Sequence, residues 1–128
     1  EGEPRVVLDL QDRLVVHKPA GWEVERSQEG EPSVLDSEGP KQLPTFLRTL
    51  LPSKRWPIVL DEAHHYGLLH RLDVPCSGLV LAAKSYEAYY DLQMQLNSGA
   101  LVRDYVVLCH GHMPPDLQEI TARIYHNM

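Results

Sequence analysis

The apolar residues of this 128-residue chain arrive in short β-branched runs broken by glycine and proline. That pattern constrains the fold more than any other feature, because a run of five to seven such residues suits a strand and is too short for a buried helix. Residues 5–9 (RVVLD) and 13–17 (RLVVH) flank a polar Gln-Asp and predict a hairpin or two adjacent strands. Lys18-Pro19-Ala20-Gly21 is a turn signal, with Pro19 fixing φ and Gly21 free to take a positive one. Residues 66–73 (YGLLHRLD) and 78–84 (GLVLAAK) predict two more strands. Residues 100–111 (ALVRDYVVLCHG) alternate, which would put Arg103, Tyr105 and Val107 on one face and Val102, Asp104 and Val106 on the other. Residues 119–126 (EITARIYH) predict the start of one further strand.

Two segments interrupt the strand pattern with helical spacing. In 43–53, Phe46, Leu47, Leu50 and Leu51 fall on one face, and Pro52 ends the run. In 85–99, Tyr89, Leu92 and Leu96 share a face, Ser85 is placed to cap, Glu87 lies in the first turn, and Asn97-Ser98-Gly99 supplies the stop. Strand runs with two isolated helices predict an α+β fold, a mainly antiparallel mixed sheet with flanking helices. The length predicts a single domain over 1–128. Residues 27–42, rich in Gly, Pro and Glu, predict a mobile loop within it.

The formal net charge of −6 argues against bulk non-specific nucleic-acid binding and leaves room for a local basic groove. No apolar run reaches the length of a membrane span, so no membrane association is expected. Cys76 and Cys109 lie in no Cys-x-x-Cys pattern and are expected as reduced thiols, in keeping with an intracellular setting, cytoplasmic or organellar.

The stretch 70–84 (HRLDVPCSGLVLAAK) concentrates the chemistry. If Leu68–Asp73 is extended, Arg71 and Asp73 point the same way, and the guanidinium keeps the acid ionised. An ionised, positioned Asp73 serves as nucleophile or base, whereas the same pair elsewhere is an ordinary ion pair at a strand end. Ser77 lies in no Gly-x-Ser-x-Gly elbow and is expected to bond nearby backbone. His64, His65 and His70 show no metal-ligand spacing, so no metal is expected. A hydrolase pairing Asp73 with a histidine lacks motif support. Tyr105 by default is a packed strand aromatic, and Tyr86, Tyr89 and Tyr90 are helix packing.

Taken with its surroundings, this stretch resembles the signature of RluA-type RNA pseudouridine synthases: His-Arg-Leu-Asp, two variable residues, Thr-Ser-Gly, an apolar run and Ala-Lys. Residues 14–24 (LVVHKPAGWEV) resemble the family's upstream strand and Lys-Pro-x-Gly turn, 86–96 (YEAYYDLQMQL) stand where the family has a helix, and 101–113 (LVRDYVVLCHGHM) resemble its Arg/Lys-x-Tyr strand. The resemblance implies isomerisation of uridine to pseudouridine in ribosomal or transfer RNA, without cofactor or metal. It implies Asp73 as nucleophile, Arg71 paired with it and holding the space of a flipped nucleotide, Tyr105 against the uracil, and Cys76, Ser77 and Gly78 as the supporting turn. Cys76 stands where the family usually has Thr. Nothing matches the family's late Arg-x-His-Gln-Ile-Arg motif, so the C-terminal part of the domain is expected to be missing. A downstream segment or a homodimer would then cover the exposed sheet. A catalytically inactive RNA-binding or scaffold relative is the alternative.

Overall fold

The computed structural model describes residues 2–24 and 41–125. Its centre is an antiparallel sheet of three strands in the order β1 (Arg5–Asp9), β2 (Arg13–Lys18), β5 (Gly78–Ala83). Both predicted strands of the first hairpin are present, with the register slipping between Val6 and Leu8. On β2, Leu14, Val16 and Lys18 face inward, while Arg13, Val15 and His17 are only partly covered. β5 answers with Val80 and Ala82, paired to Val16 and Leu14. Period-two burial of this kind is what a sheet with one covered face requires.

The covering layer comes from both helices. α1 (Leu43–Leu50) buries Leu43 and Leu47, and α2 (Tyr86–Ser98) buries Ala88, Tyr89 and Leu92. α1 tolerates Pro44 because an amide in the first turn has no helical partner to lose. It stops at Leu50, short of the predicted 53: Leu51, preceding Pro52, is extended (φ −115°, ψ 106°), and Leu50 is left exposed. α2 begins where expected, with Ser85 Oγ accepting from the Ala88 N–H at 3.1 Å, and it ends at Gly99. Between the helices, two 3₁₀ segments, Pro57–Leu60 and Glu62–Gly67, bring Ile58, Val59 and Leu68 into the same core. Gly67 has φ +90°, and a Cβ there would run into the Ala83 carbonyl oxygen, so glycine alone lets this segment lie against β5.

Three strand expectations give way. Residues 66–73 end a 3₁₀ segment and then run beside β5, joined by a single bridge, Leu68 to Ala82, and by the Leu69 N–H to the Leu81 carbonyl at 3.1 Å. His65 and Tyr66 take left-handed backbone conformations (φ 50° and 57°), which interrupts any ladder. Residues 100–111 form no strand, and neither do 119–125. Beyond Leu101, which bonds the Gln95 carbonyl, the described residues contribute one backbone hydrogen bond, Leu117 to Pro114. Alternation makes a strand available, but only a neighbouring edge makes it stable.

Most of the predicted mobile loop, 27–40, lies outside the described residues. Its last two, Lys41 and Gln42, form β4, a short parallel pair with β3 (Trp22–Glu23). The architecture is therefore mixed α and β, an antiparallel sheet with helices packed on one face. No helix among the described residues is long and apolar enough to cross a membrane.

Candidate functional site around Asp73

Asp73 stands on an exposed turn just before β5, closed by the Cys76 N–H donating to the Asp73 carbonyl at 2.9 Å. What fixes this turn is Lys18, the last residue of β2, whose side chain is fully buried (0% exposed). Its Nζ donates to the carbonyls of Cys76 at 2.6 Å, Trp22 at 2.8 Å and Pro19 at 3.1 Å, with Val74 at 3.4 Å. A neutral amine has two hydrogens to give, so three or more carbonyl acceptors call for the ammonium. Burial pushes the Lys18 pKa down, opposed by Cys76 and Asp73 nearby. Carbonyl dipoles replace the water this charge gives up, each such bond contributing about 1.5–3 kcal/mol. Gly21, at φ +91°, adds its N–H to the Val74 carbonyl at 2.8 Å. The Lys-Pro-x-Gly turn and the Asp73 turn are thus tied into one unit, with Lys18 paired to Gly78 in the β2–β5 register.

His70, three residues upstream, is anchored differently. Its Nε2 accepts from the Leu81 N–H at 3.2 Å, which puts the proton of the neutral ring on Nδ1. That Nδ1 is buried and finds no hydrogen-bond partner among the described residues. Burial, and then the charge of Arg103, push the His70 pKa below its ordinary value. A neutral imidazole here replaces a ladder acceptor for β5, which suits a segment that is not itself a strand.

The segment leading into His70 is held by a third cluster. Asp61 Oδ2 lies 2.8 Å from His64 Nδ1 and accepts from the Tyr86 hydroxyl at 2.8 Å, while His64 Nε2 lies 2.7 Å from the Tyr90 hydroxyl. The rings of Tyr86, Tyr89 and Tyr90 meet His64 edge-on, with centroids 4.9, 5.4 and 5.7 Å away. The hydrogen bond from Tyr86 and then the contact with His64 hold the Asp61 carboxyl below its usual range. The three tyrosines therefore do pack, as their positions on α2 predict, but around a polar centre.

The sequence-predicted site residues are placed unevenly. Asp73, Cys76, Ser77 and Gly78 share one turn at the mouth of β5. Arg71 and Asp73 are both exposed, not at the floor of a cleft, and the carboxylate of Asp73 forms no ion pair among the described residues. The expected pairing presupposed an extended 68–73, and that backbone is not a strand. Ser77 is exposed and makes no hydrogen bond to the turn, whose closure falls to Lys18 and the Cys76 amide. Tyr105 is 59% exposed in a segment without paired backbone. Both cysteines are free thiols. No cluster of His, Cys, Asp or Glu among the described residues is arranged to hold a metal.

Sequence reasoning assigned no role to Lys18 or Asp61. For Lys18 a signal was present: a lysine two places beyond Val16 on an alternating strand is aimed inward, where it must find acceptors. For Asp61 the local partners, the Ala63 N–H and His64, lie within three residues, but the bond from Tyr86 comes from α2, 25 residues away, and has no local signal.

Comparison with known proteins identifies the family. The family model described as RNA pseudouridylate synthase matches residues 12–127, taking in Lys18, the Asp73 turn and α2. Ribosomal large subunit pseudouridine synthase D of Buchnera aphidicola subsp. Acyrthosiphon pisum is 32% identical over 108 residues, 84% of this chain and 30% of that protein. Ribosomal large subunit pseudouridine synthase C of Escherichia coli (strain K12) is 29% identical over 115 residues, 90% of this chain and 30% of that protein. The synthase C of Pasteurella multocida (strain Pm70) is 27% identical over 125 residues, 98% of this chain and 33% of that protein. The chain spans about a third of the length of these relatives. With the match extending over nearly all its residues, the chain belongs to the RNA pseudouridylate synthase family.

Proposed function

We propose that this chain acts as an RNA pseudouridine synthase on ribosomal large-subunit RNA, with Asp73 as its nucleophile. The observation that carries the reading is the Asp73 turn itself: an exposed carboxylate on a backbone that a buried ammonium holds from behind. A nucleophile needs a fixed frame and an open approach, and this arrangement supplies both. The names of the relatives support ribosomal over transfer RNA as substrate.

In the reaction the N1–C1′ bond of a uridine breaks, the uracil turns, and C5 bonds to C1′; C5 then gives up its proton and the freed N1 takes one up, so the product is an isomer. The uridine must leave its stack to meet Asp73. The carboxylate either attacks C1′ or takes a sugar proton to give a glycal-like species; both routes need it ionised. Arg71 pairs with the carboxylate and fills the space of the flipped nucleotide once RNA is bound, and Tyr105 closes on the uracil face. Cys76 and Gly78 shape the turn, with Ser77 at its surface.

A silent RNA-binding relative is the second reading, favoured by the exposure of Tyr105. Tritium release from ribosomal RNA labelled at uracil C5 separates the two. Release by the native sequence and none by Asp73→Asn, with RNA binding retained, is the expected result. Turnover by Asp73→Asn would overturn the nucleophile assignment, and binding without release by either would establish the silent relative.

A further inference from the structure

The basic residues of this acidic chain are not evenly spread. Residues 41–60 contain Lys41, Arg48, Lys54 and Arg55 and no acid, in a chain of net charge −6. Arg48, Lys54 and Arg55 are all exposed, and none is paired to a carboxylate among the described residues. Two are laid on aromatic rings: Arg48 Cζ is 5.0 Å from the centroid of Tyr66, and Arg55 Cζ is 4.9 Å from that of Trp56. Lys84 Nζ, 5.9 Å from the Trp56 ring, joins this surface to the end of β5. Arg48 spends its Nε on the Val59 carbonyl at 3.2 Å, which steadies the guanidinium. Among the described residues, Asp61 is engaged by His64 and Tyr86 and Asp9 by Lys84, while Glu62 is exposed.

We infer that Lys54, with Arg48 and Arg55 carried on the rings of Tyr66 and Trp56, forms a second RNA-contacting surface that binds the phosphate backbone away from the reacting uridine. A guanidinium stacked on a ring keeps its planar donors available for phosphate, and its outer face can stack on an unstacked base. An acidic protein would satisfy the charge and leave the aromatic half of the surface unexplained. Position separates this surface from the candidate site. Lys84 follows β5 and the Asp73 turn precedes it, so the two lie at opposite ends of a strand with a span of about 20 Å. The inference rests on the RNA reading above, and it adds where flanking RNA is gripped.

The test uses the full chain and fluorescein-labelled, single-stranded, uridine-containing RNA, with affinity read by anisotropy across a salt series. Arg48→Gln/Lys54→Gln/Arg55→Gln is expected to flatten the log–log salt dependence by about two, and to weaken binding about a hundredfold near 0.1 M salt. Lys54→Gln/Arg55→Gln, which touches no hydrogen bond, is expected to flatten it by about 1.4. Asp73→Asn should keep the full slope. Unchanged slopes in both charge variants would overturn the surface and leave the proposed function standing. No RNA binding by the native sequence would overturn both. Charge variants that keep RNA affinity but lose affinity for polyglutamate would assign the surface to an acidic protein instead.

Discussion

The turn at 73–76 and the segment at 101–125 carry comparable sequence signals and end in opposite states. Both are predicted to be organised by apolar, β-rich surroundings, and both contain residues that the family resemblance assigns to the reaction. The first is pinned from behind by Lys18 and from beside by Gly21, so backbone that belongs to no strand is still fully committed. The second has a stronger strand pattern, yet Leu108 is 100% exposed there and no ladder forms. The difference lies in partners, not propensity: a backbone polar group settles where another group answers it. A buried ammonium can answer three carbonyls at once, whereas an alternating sequence answers none without a neighbouring edge.

Removing the pin is the most severe way to break this comparison. Lys18→Met keeps the aliphatic stem and deletes the ammonium, leaving the Cys76, Trp22 and Pro19 carbonyls short of a donor in a buried place. A loss of about 3 kcal/mol or more is expected, measured as the change in urea unfolding free energy at constant m-value. If the turn depended on local sequence alone, the variant would lose less than about 1 kcal/mol.

Acidification sharpens the comparison by a smaller amount. The folded state holds His70 below its ordinary value of 6.5, by burial first and Arg103 second. The unfolded chain therefore takes up this proton before the folded one does. Stability contributed by neutral His70 is complete above pH 6.5 and drains away as the pH falls toward the depressed folded value. The slope from this single proton cannot exceed about 1.4 kcal/mol per pH unit. In His70→Gln, whose amide oxygen can still accept from the Leu81 N–H, that part of the acid slope should vanish from unfolding curves taken through this range. An identical slope in both proteins would place the acid sensitivity elsewhere.

How far the sequence could be read follows the same division. β1, β2, β5 and α2 were legible because their signals are local: alternation sets the inward face, and Ser85 and Gly99 mark the helix ends. The Asp73 turn was legible as a place, since the resemblance points to Asp73 and to Cys76, Ser77 and Gly78 as the supporting turn. How it is held was not, because the pin on Val74 and Cys76 comes from Lys18, 56 and 58 residues earlier in the chain. The 66–73 segment was misread as a strand because apolar content does not reveal two consecutive left-handed residues, His65 and Tyr66. At 100–111 the converse holds: the alternation is real, but alternation does not supply the neighbouring edge that stabilises a strand.

The smallest expected effect tests that last point. Val106 and Leu108 are fully exposed, and the backbone around them makes no ladder hydrogen bonds among the described residues. Leu108→Ser therefore removes no buried area from the folded chain and should change the unfolding free energy by less than about 0.5 kcal/mol. Leu47→Ala, with its parent side chain 1% exposed in the core, should cost about 2–5 kcal/mol under the same conditions. Equal losses would mean that 101–125 is buried against something in solution and that its strand pattern is realised there. With Leu108→Ser neutral, adding RNA supplies the sharper measurement. If Tyr105 closes on a bound uridine, amide exchange at 103–107 should slow on binding, while exchange at the Lys18-pinned turn, already committed, should barely move.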